Sequence, residues 1–259
     1  MKIVVLIKMV PDVVEELEVA ADGKSLDTEY LRLIANELDT QALEEALLLK
    51  EKYGGTVSVV ALDAAEVDDA LFTALAKGAD QVFKVTGGDG ALSTRAAARL
   101  LTDALSGIPG LLPADLILTG AQANDDLDVL MAPVFSRLLH LPQLGIVTQV
   151  SVDTAAGIAT VLREFPGGVR GEYEIKLPAV LGIQAAEKPP RYVPVAKVMA
   201  AMKSQAIQTV PAALSAEQIF LQVAEMDKPH VTEHAQMLEG SPEAIADQFC
   251  EILAARGLV

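Results

Sequence analysis

The fold this sequence predicts is a mostly parallel, twisted α/β sheet with helices on both faces, carrying an antiparallel extension and a C-terminal arm and helix. Three observations point to it. Short apolar runs such as residues 3–7 alternate with helix-period stripes over the first 140 residues, the pattern of strands covered on both faces. After Pro142 the periodicity changes to two. From Ser241 onward the chain is a lone amphipathic stripe with proline at its first helical position.

In chain order, residues 2–8 form the first buried strand. After a polar excursion Asn36 opens a helix, and Asp39 stands at the N3 position of a capping-box-like start. Leu38, Ala42, Leu43, Ala46 and Leu47 repeat at helical spacing until Gly54. Residues 56–62 are a second strand and 67–76 a second helix, stopped by Gly78. Residues 81–85, 94–105 and 114–118 read as strand, helix and strand. The next helix is marked by Leu127, Leu130, Met131, Val134, Phe135, Leu138 and Leu139. Consecutive βαβ units of this length specify a parallel sheet. Such a sheet binds ligands beyond the carboxyl ends of its strands, where strand order switches. Residues 8–12, Asp63 with Ala64, and the turn 120–126 all fall on that edge and are expected to converge.

Beyond Pro142, residues 146–152, 158–163 and 173–177 alternate with period two, and Gly167-Gly168 supplies a turn, which predicts antiparallel augmentation. Pro189-Pro190-Arg191-Tyr192 is a stiff, extended exit leading to a helical segment at 195–203. The chain is therefore expected to divide into an α/β domain at 1–203 and an arm with a terminal helix at 204–259. Ile245, Phe249, Ile252 and Leu253 form the stripe of that helix, which must bury itself on a partner chain or on the parent domain.

The segment Thr119-Gly120-Ala121-Gln122-Ala123-Asn124-Asp125-Asp126 carries the functional signal. It follows an apolar strand and precedes a helical stripe, so unpaired N–H groups and the helix dipole can hold a phosphate there. No catalytic constellation accompanies it. G-x-S-x-G, the Walker lysine motif and a helix-opening G-x-G-x-x-G are all missing. Gly87-Gly88-Asp89-Gly90 reads as a flexible loop. His230 and His234 have helical spacing, but Pro229 argues for a loop and no third ligand is visible, so no metal site is expected. A nucleotide-shaped edge without acid, base or nucleophile points to a binder rather than an enzyme acting alone.

Composition narrows the partners. The 259-residue chain is 51% hydrophobic and 22% charged, as a globular protein is, and its formal net charge is −16. That balance disfavours nucleic acid and anionic membrane, and no apolar run reaches the length of a bilayer span. A single cysteine, Cys250, excludes a disulfide framework and fits a reducing, cytoplasmic setting.

Taken together, these blocks resemble the β subunit of electron transfer flavoproteins. The resemblance rests on Ile7-Lys8-Met9-Val10-Pro11-Asp12, on Asn36-Glu37-Leu38-Asp39 with Ala42-Leu43-Glu44-Glu45-Ala46, and on Ala76-Lys77-Gly78-Ala79-Asp80. It continues through the 120–126 turn, Leu141-Pro142-Gln143, Lys176-Leu177-Pro178-Ala179-Val180 and Pro190-Arg191-Tyr192. It implies an adenine nucleotide α-hydrolase-like fold and a heterodimer with an α subunit that holds most of a redox FAD. It also implies AMP, or a second FAD, within the β subunit. By matching motifs, Leu6, Asn36 and Ala64 would line the adenosine pocket. Ala123, Asp126 and the backbone of Val129, Leu130, Met131 and Ala132 would surround the phosphate, and Gly120 and Gln122 would belong to the same cofactor site. Residues 190–200 resemble the loop that docks redox partners, with Pro190, Arg191 and Tyr192 shaping it and Val195 in the place of the inserted apolar side chain. The implied donor is an acyl-CoA dehydrogenase-type flavoprotein, and the implied acceptor a quinone reductase or similar protein.

The chain also departs from the family pattern. Pro166 stands where relatives carry an acidic residue, and Gly171 where they carry Glu or Gln. Val129, Leu130 and Met131 replace polar side chains at the nucleotide turn. Val10-Pro11-Asp12 and Pro133 look more like electron-bifurcating members that bind a second FAD and NAD(H), although Val13 replaces the threonine common there. A stand-alone AMP- or ATP-binding module resembling universal stress proteins is the reading from another class.

Overall fold

A computed structural model describes residues 1–88, 92–214, 223–229, 235 and 237–258. The chain divides into two compact units, Met1–Glu225 and Met226–Val259.

The first unit is built on a nine-stranded sheet. Its strands are β1 (Lys2–Ile7), β4 (Thr56–Leu62), β5 (Gln81–Thr86), β6 (Leu116–Gly120), β7 (Gln143–Asp153), β8 (Ile158–Phe165), β9 (Val169–Lys176), β10 (Ala179–Ile183) and β11 (Gln208–Pro211). They lie in the order β11-β5-β4-β1-β6-β10-β7-β8-β9. Every pairing from β11 to β7 is parallel, and β7–β8 and β8–β9 are antiparallel. A separate two-stranded ribbon joins β2 (Met9–Pro11) to β3 (Leu33–Ala35).

Residues of β1 alternate between two cores. Ile3, Val5 and Ile7 pack with α1 (Glu37–Tyr53) and α2 (Val67–Lys77). Val4 and Leu6 pack with α3 (Thr94–Gly107) and α4 (Met131–Leu139) on the opposite face. Ile3, Val4 and Val5 have no exposed surface, which is why a continuous apolar run, not an alternating one, encodes this strand. The chain runs from β1 outward to β4 and β5, then returns to place β6 on the other side of β1. Strand order therefore reverses between β1 and β6, and a crevice opens at their carboxyl ends.

Four expectations change. β10, wholly buried at the sheet centre, was not anticipated, because Pro178 interrupts the period-two pattern and only five apolar residues follow it. β7 joins the sheet in parallel to β10, so the antiparallel extension begins one strand later. Residues 208–211, expected within an arm, form the edge strand β11 against β5, and Pro211 is tolerated at that edge. Finally, α4 begins at Met131, not near Leu127: both Leu127 and Val129 are left-handed, with φ of 52° and 57°, so the stripe is interrupted.

Within the second unit, α6 (Pro242–Ala255) has the expected proline start, and the Ser241 hydroxyl accepts from the Ala244 amide at 3.3 Å. None of its residues is buried. His230 and His234 lie outside the described residues.

Candidate functional site

A cleft of about 740 Å³, counting the part open to solvent, occupies the switch point. The three edge segments meet there as expected: β1 contributes Leu6 and Ile7 and is followed by Lys8, the end of β4 contributes Leu62 and then Ala64, and β6 contributes Thr119 and Gly120.

The carboxylate of Asp39 ties these strand ends to the start of α1. Its Oδ1 accepts from the Gly120 amide at 2.6 Å and its Oδ2 from the Lys8 amide at 2.8 Å. Asn36 donates from its side-chain amide to the Gln122 carbonyl at 2.9 Å. This corrects the capping-box expectation: Asn36 is the N-cap residue but makes no side-chain capping bond and reaches the turn after β6, while Asp39 reaches across to the ends of β1 and β6. Burial pushes the Asp39 carboxyl up to about 6, although the donated Lys8 and Gly120 amides hold it down in part.

The contact leaves no room at Gly120. A Cβ there would lie 2.5 Å from Asp39 Oδ1 and 2.8 Å from the Asp39 amide nitrogen. Here glycine serves close backbone approach, not a special φ.

The turn after β6 supplies carboxylates as well as amides. Lys8 Nζ donates to Asp125 at 2.7 Å and to Asp126 at 2.8 Å, and Thr94 Oγ1 donates to Asp126 at 3.0 Å. Burial alone would lower the Lys8 pKa, but the two carboxylates outweigh it and hold the ammonium above its ordinary range. Asp128 accepts from the Leu130 amide at 2.9 Å. Among the described residues, the amides of Met131 and Ala132 at the start of α4 find no acceptor, as first-turn donors of a helix do not.

Of the residues expected at a nucleotide site, Leu6, Asn36, Ala64, Gly120, Gln122, Ala123, Asp126, Leu130 and Met131 line the cleft. Val129 and Ala132 do not, and Ala132 is buried in the core beside Phe135. Sequence reasoning placed Lys8 on this edge without giving it a role, and missed Asp39, Leu62, Leu92 and the α3 residues Thr94, Ala97 and Leu101. The last three stand at helical spacing on one face, a signal that was present in the sequence but is indistinguishable there from ordinary core.

The Pro190–Val195 segment lies elsewhere. Tyr192 is 84% and Val195 72% exposed, whereas Arg191 turns inward. Its guanidinium donates to Glu44 through Nε and Nη2, at 2.9 and 2.8 Å, and to Glu51 through Nη1 at 2.6 Å. Glu44 and Glu45 are both buried on α1, and Glu45 accepts from the Glu187 amide at 2.9 Å. Burial is the largest influence on Glu45 and pushes its carboxyl up to about 7. The α1 carboxylates thus fasten the base of a loop whose tip stays bare.

No described helix is long and apolar enough to cross a membrane, and no described group of His, Cys, Asp and Glu could hold a metal ion.

The sequence matches the family model described as "Electron transfer flavoprotein domain" over residues 25–215. It is similar to the electron transfer flavoprotein subunit beta of Syntrophomonas wolfei, 32% identical over 97% of this chain and 95% of the relative. It is likewise similar to that of Methylophilus methylotrophus, 32% identical over 74% of this chain and 72% of the relative. The Arabidopsis thaliana protein named electron transfer flavoprotein subunit beta, mitochondrial, is 30% identical over 88% of this chain and 90% of its own length.

Proposed function

Because the chain belongs to the beta-subunit family of electron transfer flavoproteins, we propose that it is the non-catalytic half of a two-chain electron carrier. In this reading it pairs with an alpha subunit, walls an FAD held mostly by that subunit, and buries an AMP of its own. When bound, FAD supplies reversible electron uptake and release. The electrons come from an acyl-CoA dehydrogenase-type flavoprotein and pass to a quinone reductase-type acceptor.

The observation that carries the adenylate is the cleft at the strand-order reversal, with apolar walls from Leu6, Leu62 and Leu101 and free amides at the start of α4. The walls suit a flat base, and the amides suit a phosphate, which they hold without proton transfer. Asp39 and Gly120 fix the distance between strand ends and helix α1, so the cleft is formed before any ligand arrives. The exposed Tyr192 and Val195, on a loop fastened at Arg191, support partner docking: a pre-organised apolar side chain loses little entropy on burial.

The test is cofactor content. Purified alone, the chain should be nearly colourless and should release AMP on heating. Co-expressed with its alpha partner it should give a yellow complex with one flavin and one AMP. Stoichiometric redox-active flavin in the isolated chain contradicts the assignment. Two flavins per complex, which Val10-Pro11-Asp12 and Pro133 favour, would replace AMP by a second FAD and make the carrier a bifurcating one. A homodimer holding ATP and needing no partner would make it a stand-alone nucleotide module.

A further inference from the structure

The cleft poses an electrostatic problem that amides alone do not solve. Asp39, Asp126 and Asp128 line it, and Lys8 is the one cationic side chain among its described lining residues. A phosphate arriving beside the start of α4 meets the carboxylates of the turn that leads into that helix. Partial helix charge near one-half of a unit does not offset them.

We propose that Lys8 is the phosphate-selecting residue of this cleft, held for that task by Asp125 and Asp126 and able to offer its remaining proton to a phosphate monoester. This rests on the adenylate reading above and goes beyond it by assigning selectivity to a side chain.

The position of the ammonium is set from both ends. The Lys8 amide donates to Asp39 at 2.8 Å, and the Lys8 carbonyl accepts from the Asn36 amide at 2.9 Å, so its backbone is fixed at the carboxyl end of β1. At the far end, Nζ is 2.7 Å from Asp125 and 2.8 Å from Asp126. An ammonium carries three protons, and these two bonds leave one unspent. The Lys8 side chain is 25% exposed, so that proton remains within reach of a ligand while the surrounding groups are partly desolvated. Asp126 also accepts from Thr94, which binds the turn to the start of α3 and keeps the triad from swinging outward. Without Lys8 the pair Asp125 and Asp126 would carry two uncompensated negative charges at the rim; with it they carry one.

The chemical class follows. A phosphate monoester profits from the cation and from the Met131 amide together, whereas a nucleoside without phosphate gains from neither. Lys8 should therefore govern the preference for AMP over adenosine and leave base recognition alone.

The experiment measures AMP and adenosine affinities by calorimetry on the full chain freed of nucleotide, for the native protein, K8M, K8R and D125N. K8M should weaken AMP about tenfold or more and change adenosine less than threefold. K8R should recover part of the AMP preference. D125N, which removes a rim charge while Asp126 still holds Lys8, should tighten AMP severalfold, and K8R keeps the idea testable if K8M does not fold. Equal AMP-to-adenosine ratios in the native chain and all variants overturn the role of Lys8 while leaving an adenylate site intact. A native chain that binds neither compound overturns both readings.

Discussion

Asp39 Oδ1 receives the Gly120 amide at 2.6 Å, and through that bond the first turn of α1 is joined to the carboxyl end of β6, 81 residues later in the chain. The other oxygen of the same carboxylate takes the Lys8 amide at the end of β1. One buried side chain thereby sets the width of the crevice where strand order reverses.

Replacing Gly120 by alanine forces a methyl group against the α1 backbone. G120A should lower the unfolding free energy by about 3 kcal/mol, the upper end of overpacking costs, because the obstructing atoms include main chain. Urea denaturation of the full chain measures this. Unchanged stability would show that α1 can retreat from β6.

D39N retains shape but offers one acceptor to two amide donors. One amide must then face an NH₂ group, at a cost of about 1–3 kcal/mol. Nucleotide affinity should fall with it, since both strand ends lose their fixed spacing. A stable D39N chain with native AMP affinity would contradict the positioning role.

Removing the Arg191 side chain strands the buried Glu44 carboxylate. R191A should cost on the order of 2–3 kcal/mol and expose residues 187–195 to proteolysis. R191K should recover only part of it, because one ammonium cannot reproduce the fork that spans Glu44 and Glu51. Limited proteolysis with mass mapping distinguishes these outcomes.

Buried carboxylates give the fold a characteristic pH response. Glu45, near 4.5 when unfolded, is pushed up to about 7 in the fold, and Asp39 from 3.8 to about 6. The folded state thus binds more protons than the unfolded state between those values, and these groups' contribution to stability falls as pH rises through that window. E45Q cannot ionise, so its stability relative to native should improve by up to about 3 kcal/mol between pH 4.5 and pH 7.5. A pH-independent difference between the two proteins would place Glu45 in contact with solvent.

Val195 stands 72% exposed as the first residue of α5 (Val195–Ser204). V195A should leave stability within about 0.5 kcal/mol. Electron transfer from the donor flavoprotein, followed by stopped-flow absorbance of the complex, should slow if this side chain is inserted into a partner. An unaltered rate would remove Val195 from the docking surface.

The local pattern of the chain was sufficient for most of its strands and helices and for their alternation, because burial on two sheet faces writes itself as apolar runs and helical stripes. It also marked residues 8–12, Asp63 with Ala64, and 120–126 as neighbours of one edge, since βαβ geometry sends every strand's carboxyl end the same way, whereas Asn36 entered the site only through the resemblance. Tertiary structure alone decided what these residues do. Asn36 and Asp39 have the spacing of a helix cap, yet they bond to strand ends and to the turn after β6, beyond the reach of any local rule. Lys8 looks like the polar end of a strand until Asp125 and Asp126 are folded against it. β10 and β11 are too short to announce themselves and become strands through their neighbours in the sheet. Periodicity records which face of an element is buried; which long-range partner meets a polar side chain is set only when the sheet order brings distant segments together.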